Sequence, residues 1–512
     1  MEIRRTGRLW ARKRTTLKSK HHHSVAIGTS LLCGALILFA TRRGPVLSPD
    51  SISYLSTAEH VRSGNGLTDF SGRPLTVFGP ILPLLLAAGG RSLLWARIVG
   101  ASAVAGASWL MFVLLYRRVR PWAAVVAAAS FGVSQGLVRV GSTVWSETPY
   151  ILIVVGVLAV LAIEPLTERR VAIGGLLCGL GFLTRYAGAG LVITGAVVVA
   201  IASLRLERRR AVRLLAIHLG VAAATCATWL VRNVIETGET FGPRFSGGAT
   251  DSLQALVRAP AIAIGELILG DRATDSHKVR GGVVILVLLA IGAIIAMVKR
   301  PTNVVDIGMI VFGLTSVIIP VVARRVTASD IEFRVMSPMM IPIVYTTAVA
   351  LDRLHFKPVA LVVCAGLASW WAFEGVAMAN RTPQIVAIGA GSRTQFSSQL
   401  HDLIDALPAD ANVLTNSPQR VWWQNRRDPT LLAFTRPRAG NSNYPLSPAD
   451  TLRYACQPGT YLAWFGQVAI GGDSPSERRP DLVEIVDLTL QHSVPGGTLY
   501  RLSARDPTRC PH

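Results

Sequence analysis

Apolar residues along this chain come in long blocks, with polar and basic residues confined to the gaps between them. Most blocks run about 17 to 24 residues, enough to cross a hydrocarbon layer of roughly 30 Å. Candidate spans lie near 24–41, 93–116, 121–139, 146–163, 171–185, 187–204, 211–230, 281–298, 303–322, 335–351 and 358–378. The count is eleven. With the N-terminus inside, it places "RRVR" (117–120), "ERR" (168–170), "RLERRR" (205–210), "KR" (299–300) and "DRLHFK" (352–357) in the cytoplasm, as the positive-inside rule requires. Arg324 and Arg325 fall outside in this topology. The apolar segment 76–90 is short and broken by Pro80 and Pro83, and counting it as a span would put "RRVR" outside. It reads as a re-entrant or interfacial helix of the first outer loop, residues 42–92.

The pattern therefore predicts an α-helical polytopic membrane protein. A basic cytoplasmic N-terminus (1–23) precedes a transmembrane domain (24–378), whose second long outer loop (231–280) carries an amphipathic segment suited to the membrane surface. The run 24–40 follows eight Lys and Arg residues but has no small-residue cleavage site, and reads as an uncleaved first span. After residue 379 the blocks stop. "SQLHDLIDALPADANVLTN" predicts a helix leading into a strand, and "TYLAWFG", "DLVEIVDLTL" and "TLYRL" predict further strands. Residues 379–512 thus form a small α/β domain, extracytoplasmic if the span count is odd. Its paired Trp422 and Trp423 suit either packing or a sugar platform, with packing the better fit.

Composition agrees with the pattern. Of 512 residues, 51% are hydrophobic and 16% charged, with a mean hydropathy of +0.43. The net charge of +22 would suit nucleic acid, but the basic residues sit in short clusters between apolar blocks, where they orient a membrane protein. No nucleic-acid partner is expected. Cys33, Cys178, Cys226 and Cys364 fall inside apolar blocks as small core residues, whereas Cys456 and Cys510 lie in the polar C-terminal part, where an external location would let them pair.

Two acids stand at the outer ends of spans. In "LSPDSISYLSTAEHVRSGNGL" (47–67), Ser48 is a good N-cap, Pro49 suits the first helical position, and Asp50 is favoured in the first turn by the helix dipole. Capping alone would explain one such acid. However, Glu147 in "VWSETPYILI" sits at the same depth, and the same face collects Arg185, Arg232 and Arg334. Arginines at a membrane surface often only snorkel. Three beside two carboxylates point instead to an anionic ligand, and phosphate suits the guanidinium fork best. Tyr54, one turn after Asp50, joins Tyr186 and Asn233, neighbours of two of the arginines, as candidate substrate contacts.

These pieces together resemble the GT-C glycosyltransferases, integral membrane enzymes that use polyprenyl-phosphate sugar donors, in the style of bacterial aminoarabinose and protein O-mannosyltransferases. The resemblance rests on "SPDSISYLSTAEHVRSGNGL", "VWSETPYILI", "GLLCGLGFLTRYAGAGL", "WLVRNVIETGETFGP" and "FRVMSPMMIPIV", in that order over residues 24–378. It implies Asp50 as the base that activates an acceptor hydroxyl, Glu147 as a group holding acceptor or metal, and Arg185, Arg232 and Arg334 as the clamp on the lipid phosphate. No cofactor is certain. A divalent cation, Mg²⁺ or Mn²⁺, is the candidate, although one loop acid plus Glu147 is a thin ligand set. The implied partners are the lipid-linked donor, membrane lipids and a glycan, lipid or protein acceptor. The implied reaction is an inverting hexosyl or pentosyl transfer on the outer face of the cell membrane. A flippase for lipid-linked sugars is the rival, but transporters place polar residues near the midplane of repeated halves.

Overall fold

The computed structural model describes residues 2–90, 92–204, 206–242, 253–299, 304–327, 331–353, 357–388, 398–427, 430–431, 448–466 and 484–510. In the first part, α1 (Glu2–Ala40) leads into α2 (Pro49–Arg62) and the short α3 (Ile81–Ala87). Then come α4 (Leu93–Tyr116), α5 (Pro121–Val133), α6 (Gln135–Ser142), α7 (Glu147–Leu161), α8 (Glu168–Thr184) and α9 (Ala189–Ala202). They are followed by α10 (Arg208–Thr237), α11 (Leu253–Leu269), α12 (Asp275–Lys299), α13 (Val304–Thr327), α14 (Phe333–Met336), α15 (Met340–Arg353) and α16 (Lys357–Ile388). The described parts of the eleven apolar blocks are largely helical, with 121–139 divided between α5 and α6 and 335–351 between α14 and α15. Among the described residues, six helical stretches are long and apolar enough to cross a membrane, and a seventh if α5 and α6 form one span. The chain is a multi-pass membrane protein.

Where the helices depart from the apolar blocks, a local cause is visible. The block 121–139 is not one straight span: α5 and α6 meet at a 47° bend at Ser134. The Ser134 hydroxyl donates to the Phe131 carbonyl at 2.8 Å and so competes with the helical ladder. The amphipathic segment within the stretch 231–280 does not lie free on a surface. As α11, it buries Ala261, Ala263, Ile264 and Leu267 against the bundle. A Cβ on Gly265 would fall 1.9 Å from the Lys278 carbonyl oxygen, and one on Gly282 would fall 1.9 Å from that of Ala261. Only glycine permits so close an approach of α11 and α12, the small-residue packing typical of membrane helices.

One end of the bundle is locked by charge. Arg118 Nη2 reaches Asp306 Oδ2 at 2.5 Å and Arg118 Nε donates to the Tyr345 hydroxyl at 3.1 Å, while that hydroxyl donates to Asp306 Oδ1 at 2.7 Å. The triad joins the end of α4 to α13 and α15, and each member serves the other two.

Beyond α16, the described residues fold around a five-stranded mixed sheet. Its elements are α17 (Ser398–Asp405), β1 (Asn412–Thr415), α18 (Pro418–Asn425), β2 (Thr430–Leu431), α19 (Pro448–Ala455), β3 (Thr460–Phe465), β4 (Val486–Val494) and β5 (Gly497–Ala504). Strand order is β2-β1-β3-β5-β4; β1 runs parallel to β2 and β3, and β5 antiparallel to β3 and β4. Cys456 and Cys510 are disulfide-bonded, tying the end of α19 to the C-terminal turn. Trp422 on α18 is buried against Ile52 and Phe70, so the tryptophan pair serves packing and seats the sheet domain on α2.

Candidate active site

The start of α2 is built locally and then gripped from a distance. Ser48 Oγ accepts the Ser51 amide at 3.2 Å, and Ser51 Oγ accepts the Ser48 amide at 3.0 Å, a reciprocal cap with serine in the role usually held by Glu or Gln. Pro49 and Asp50 then open the first turn, as their residue types favour. The Trp145 indole also donates to Ser48 Oγ, at 2.7 Å. Beside it the backbone of Val46 pairs with that of Ser142 and Val144, at 2.9 and 3.2 Å. The chain entering α2 is thereby fastened to the chain entering α7, which sets Asp50 and Glu147 in one pocket.

Within that pocket each acid faces an arginine. Arg334 Nη1 donates to Asp50 Oδ2 at 2.5 Å, and Arg185 Nη1 is ion-paired with Glu147 Oε1. The two pairs are not alike. Glu147 is 3% exposed at its side chain, whereas Asp50 keeps 15% and its partner Arg334 24%. Arg334 has more to give: its Nε lies 3.3 Å from Glu332 but is not aligned for a hydrogen bond. Its guanidinium stands 5.3 Å from the Trp145 ring centroid, within cation–π reach. Both carboxylates act electrostatically on Arg334.

Tyr54 lies between the pairs. Its hydroxyl donates to Ser146 Oγ at 3.3 Å, joining α2 to the start of α7. Burial first, and then the negative charges of Asp50 and Glu147, push this phenol well above its usual pKa, so it stays neutral and able to donate.

Arg232, Tyr186 and Asn233 form a second, adjoining group. Tyr186 donates to the Thr76 carbonyl at 2.5 Å and accepts from Trp229 Nε1 and Asn233 Nδ2, both at 2.9 Å. Arg232 donates to the carbonyls of Leu75 at 2.7 Å and Leu67 at 3.1 Å. These residues hold the loop 42–92 against the ends of α8 and α10. Arg185 and Tyr186 are consecutive, so the two groups share a wall where α8 ends in an extended residue, Arg185, with φ −152°.

Of the residues picked from the sequence, Asp50, Tyr54, Glu147, Arg185 and Arg334 converge directly, while Arg232, Tyr186 and Asn233 bind loop backbone next door. Sequence reasoning missed Ser146 and Trp145 as connecting groups. Their signal was present in "VWSET", where a polar and an aromatic residue stand immediately before the acid. Arg139 was also missed: it stacks 3.6 Å over the Phe333 ring beside Arg334 and pairs with Glu266 on α11 at 2.6 Å.

The donor set does not fit a divalent cation. Mg²⁺ and Mn²⁺ want several carboxylate or carbonyl oxygens in open geometry. Among the described residues no three acidic, histidine or cysteine side chains converge, and both site carboxylates face guanidinium groups.

No family profile matches the chain, and no curated protein sequence does. Solved structures do match. The chain superposes on the crystal structure of ArnT from Cupriavidus metallidurans bound to undecaprenyl phosphate with a TM-score of 0.59 and 11% identity, covering 94% of this chain and 98% of that one. It superposes on the archaeal oligosaccharyltransferase AglB from Archaeoglobus fulgidus, in complex with an inhibitory peptide and a dolichol-phosphate, with a TM-score of 0.56 and 13% identity. That match covers 96% of this chain and 75% of that one. The chain therefore shares its fold with these two structures over nearly its whole length.

Proposed function

We propose that the protein is an inverting glycosyltransferase that moves a sugar from a polyprenyl-phosphate donor to an acceptor hydroxyl at the outer membrane–water boundary. The observation that carries this reading is the convergence of two carboxylate–arginine pairs, Asp50 with Arg334 and Glu147 with Arg185, in one partly open pocket. The eleven-span topology, with the N-terminus inside and residues 379–512 outside, belongs to the same proposal. The Cys456–Cys510 disulfide supports it, since such bonds persist in oxidising surroundings.

In this mechanism Asp50 takes the proton of the acceptor hydroxyl as its oxygen attacks the anomeric carbon. The bond from that carbon to the phosphate oxygen breaks on the opposite face, and the electron pair leaves with the lipid phosphate. Arg334 and Arg185 meet the charge that develops there. Each is neutralised by an acid before the donor arrives, so donor binding exchanges an internal pair for a phosphate contact. Glu147, the more buried acid, orients Arg185 and the acceptor. Arg232 adds positive charge from its place on the loop backbone, and Tyr54, Tyr186 and Asn233 are the neutral donors nearest the sugar. The sugar is a pentose or hexose, and the acceptor a cell-envelope glycan, lipid or protein. The test is incubation of purified protein in vesicles with a labelled polyprenyl-phosphate sugar and envelope acceptors. A glycosylated product supports the reading; transbilayer movement of donor without product overturns it.

A further inference from the structure

A large cavity among the described residues opens at the other end of the bundle from the candidate active site. It has a volume of about 920 Å³ between α1, α5, α15 and α16. Its walls are mostly apolar, with Trp122, Val126 and Leu361 on its open side and Ala127, Ala368 and Trp371 deeper in. Apolar walls of this extent do not hold ordered water, so the occupant must itself be apolar. In a bilayer the available matter is hydrocarbon chain.

The rim is not apolar. Arg120, His22 and Asp352 line it. Arg120 uses only Nε and its backbone amide on Asp352, the side-chain contact being 2.6 Å. Its two terminal amines have no partner among the described residues, and its side chain is 59% exposed. His22 Nδ1 is likewise buried without a hydrogen-bond partner. Lys20, Arg117 and Arg353 are exposed nearby in the chain. An apolar slot beneath a cationic rim with open donors complements an amphiphile with an anionic head.

Position separates this slot from the candidate active site. The candidate span Phe333–Arg353 has 21 residues, so at 1.5 Å per residue its ends lie about 30 Å apart, one hydrocarbon thickness. Arg334, at one end, belongs to the active-site pocket; Asp352, at the other, belongs to the rim. By the positive-inside rule the rim faces the cytoplasm.

We infer that this slot binds an anionic phospholipid of the cytoplasmic leaflet, with its acyl chains between α5 and α16 and its phosphate on the terminal amines of Arg120. Ion pairing with Asp352 holds the arginine at the rim with its fork turned outward. The bound lipid bridges α1, α5, α15 and α16, four helices whose contact here is otherwise incomplete.

The test is native mass spectrometry of the full chain, purified in mild detergent and titrated with phosphatidylglycerol or phosphatidylcholine. One phosphatidylglycerol is expected to be retained per chain, with phosphatidylcholine about fivefold or more weaker. Arg120→Gln is expected to bring the two lipids level. Ala127→Trp, which fills the slot and leaves Arg120 in place, is expected to abolish retention of both. Equal retention of the two lipids by the parent chain overturns the inference, as does unchanged binding by Ala127→Trp. So does displacement of phosphatidylglycerol by an equimolar polyprenyl phosphate.

Discussion

The two ends of the bundle carry the same chemistry in different states of completion. Near the α4–α13–α15 junction, Arg118, Asp306 and Tyr345 satisfy one another: the acid receives the arginine on one oxygen and the phenol on the other, and the arginine also reaches the phenol. At the opposite end Asp50, Arg334 and Tyr54 are the same three residue types, yet they form no closed ring. Asp50 receives Arg334 on a single oxygen, Arg334 Nε is not hydrogen-bonded, and Tyr54 turns to Ser146. A closed triad can only hold helices together. An open one has capacity left for a substrate, and that difference, rather than the residue types, separates structure from chemistry here.

Replacing the acid at each end tests this most severely. Asp50→Asn is expected to lower sugar transfer by about 10²- to 10⁴-fold with normal expression and insertion, whereas Asp306→Asn is expected to act through stability. Transfer at the parent rate by Asp50→Asn would end the proposed mechanism. Next in size, Arg118→Ala leaves the partly exposed Asp306 carboxylate with only its Tyr345 partner and is expected to cost about 1–3 kcal/mol, read as a lower melting temperature in detergent. An unchanged melting temperature would show that the triad is not the lock described here. Arg334→Lys keeps the charge but loses the fork, and is expected to reduce transfer about tenfold with little change in melting. Loss of stability without loss of rate would reassign Arg334 to the structural class.

The smallest effect concerns Tyr54. Folding raises its pKa above the ordinary 10.0, so its contribution to stability is intact below pH 10 and is lost as pH rises beyond it. Melting curves between pH 8 and 11 are expected to show a steeper alkaline decline for the parent chain than for Tyr54→Phe. At neutral pH the same variant is expected to lose about 1 kcal/mol, the worth of one hydrogen bond.

Much of this architecture is legible in the chain itself, and the parts that are not share a cause. The described parts of the apolar blocks are largely helical, because the block length and hydropathy that define them act within one segment. The α2 start at Ser48–Pro49–Asp50 is equally local, resting on a cap, a ring-fixed φ and a dipole. The break at Ser134 was missed because a single serine bonding back to its own turn leaves the surrounding hydropathy unchanged. The burial of α11 was missed because an amphipathic face reads the same whether it meets lipid headgroups or another helix. Arg232 was grouped with the other outer arginines by position, yet its fork is spent on the Leu67 and Leu75 carbonyls, backbone atoms that carry no mark in the sequence.

The sequence alone determined that this is a helical membrane protein and that Asp50 begins a helix, since burial, capping and charge–dipole terms act over a few residues. Tertiary structure decided which arginine each acid faces, which tyrosine stands between them, and that tryptophans of the C-terminal sheet domain pack on the Asp50 helix. The Asp50–Arg334 contact joins residues 284 positions apart. A pairing at that separation depends on how every intervening helix packs, so no local energy could have fixed it.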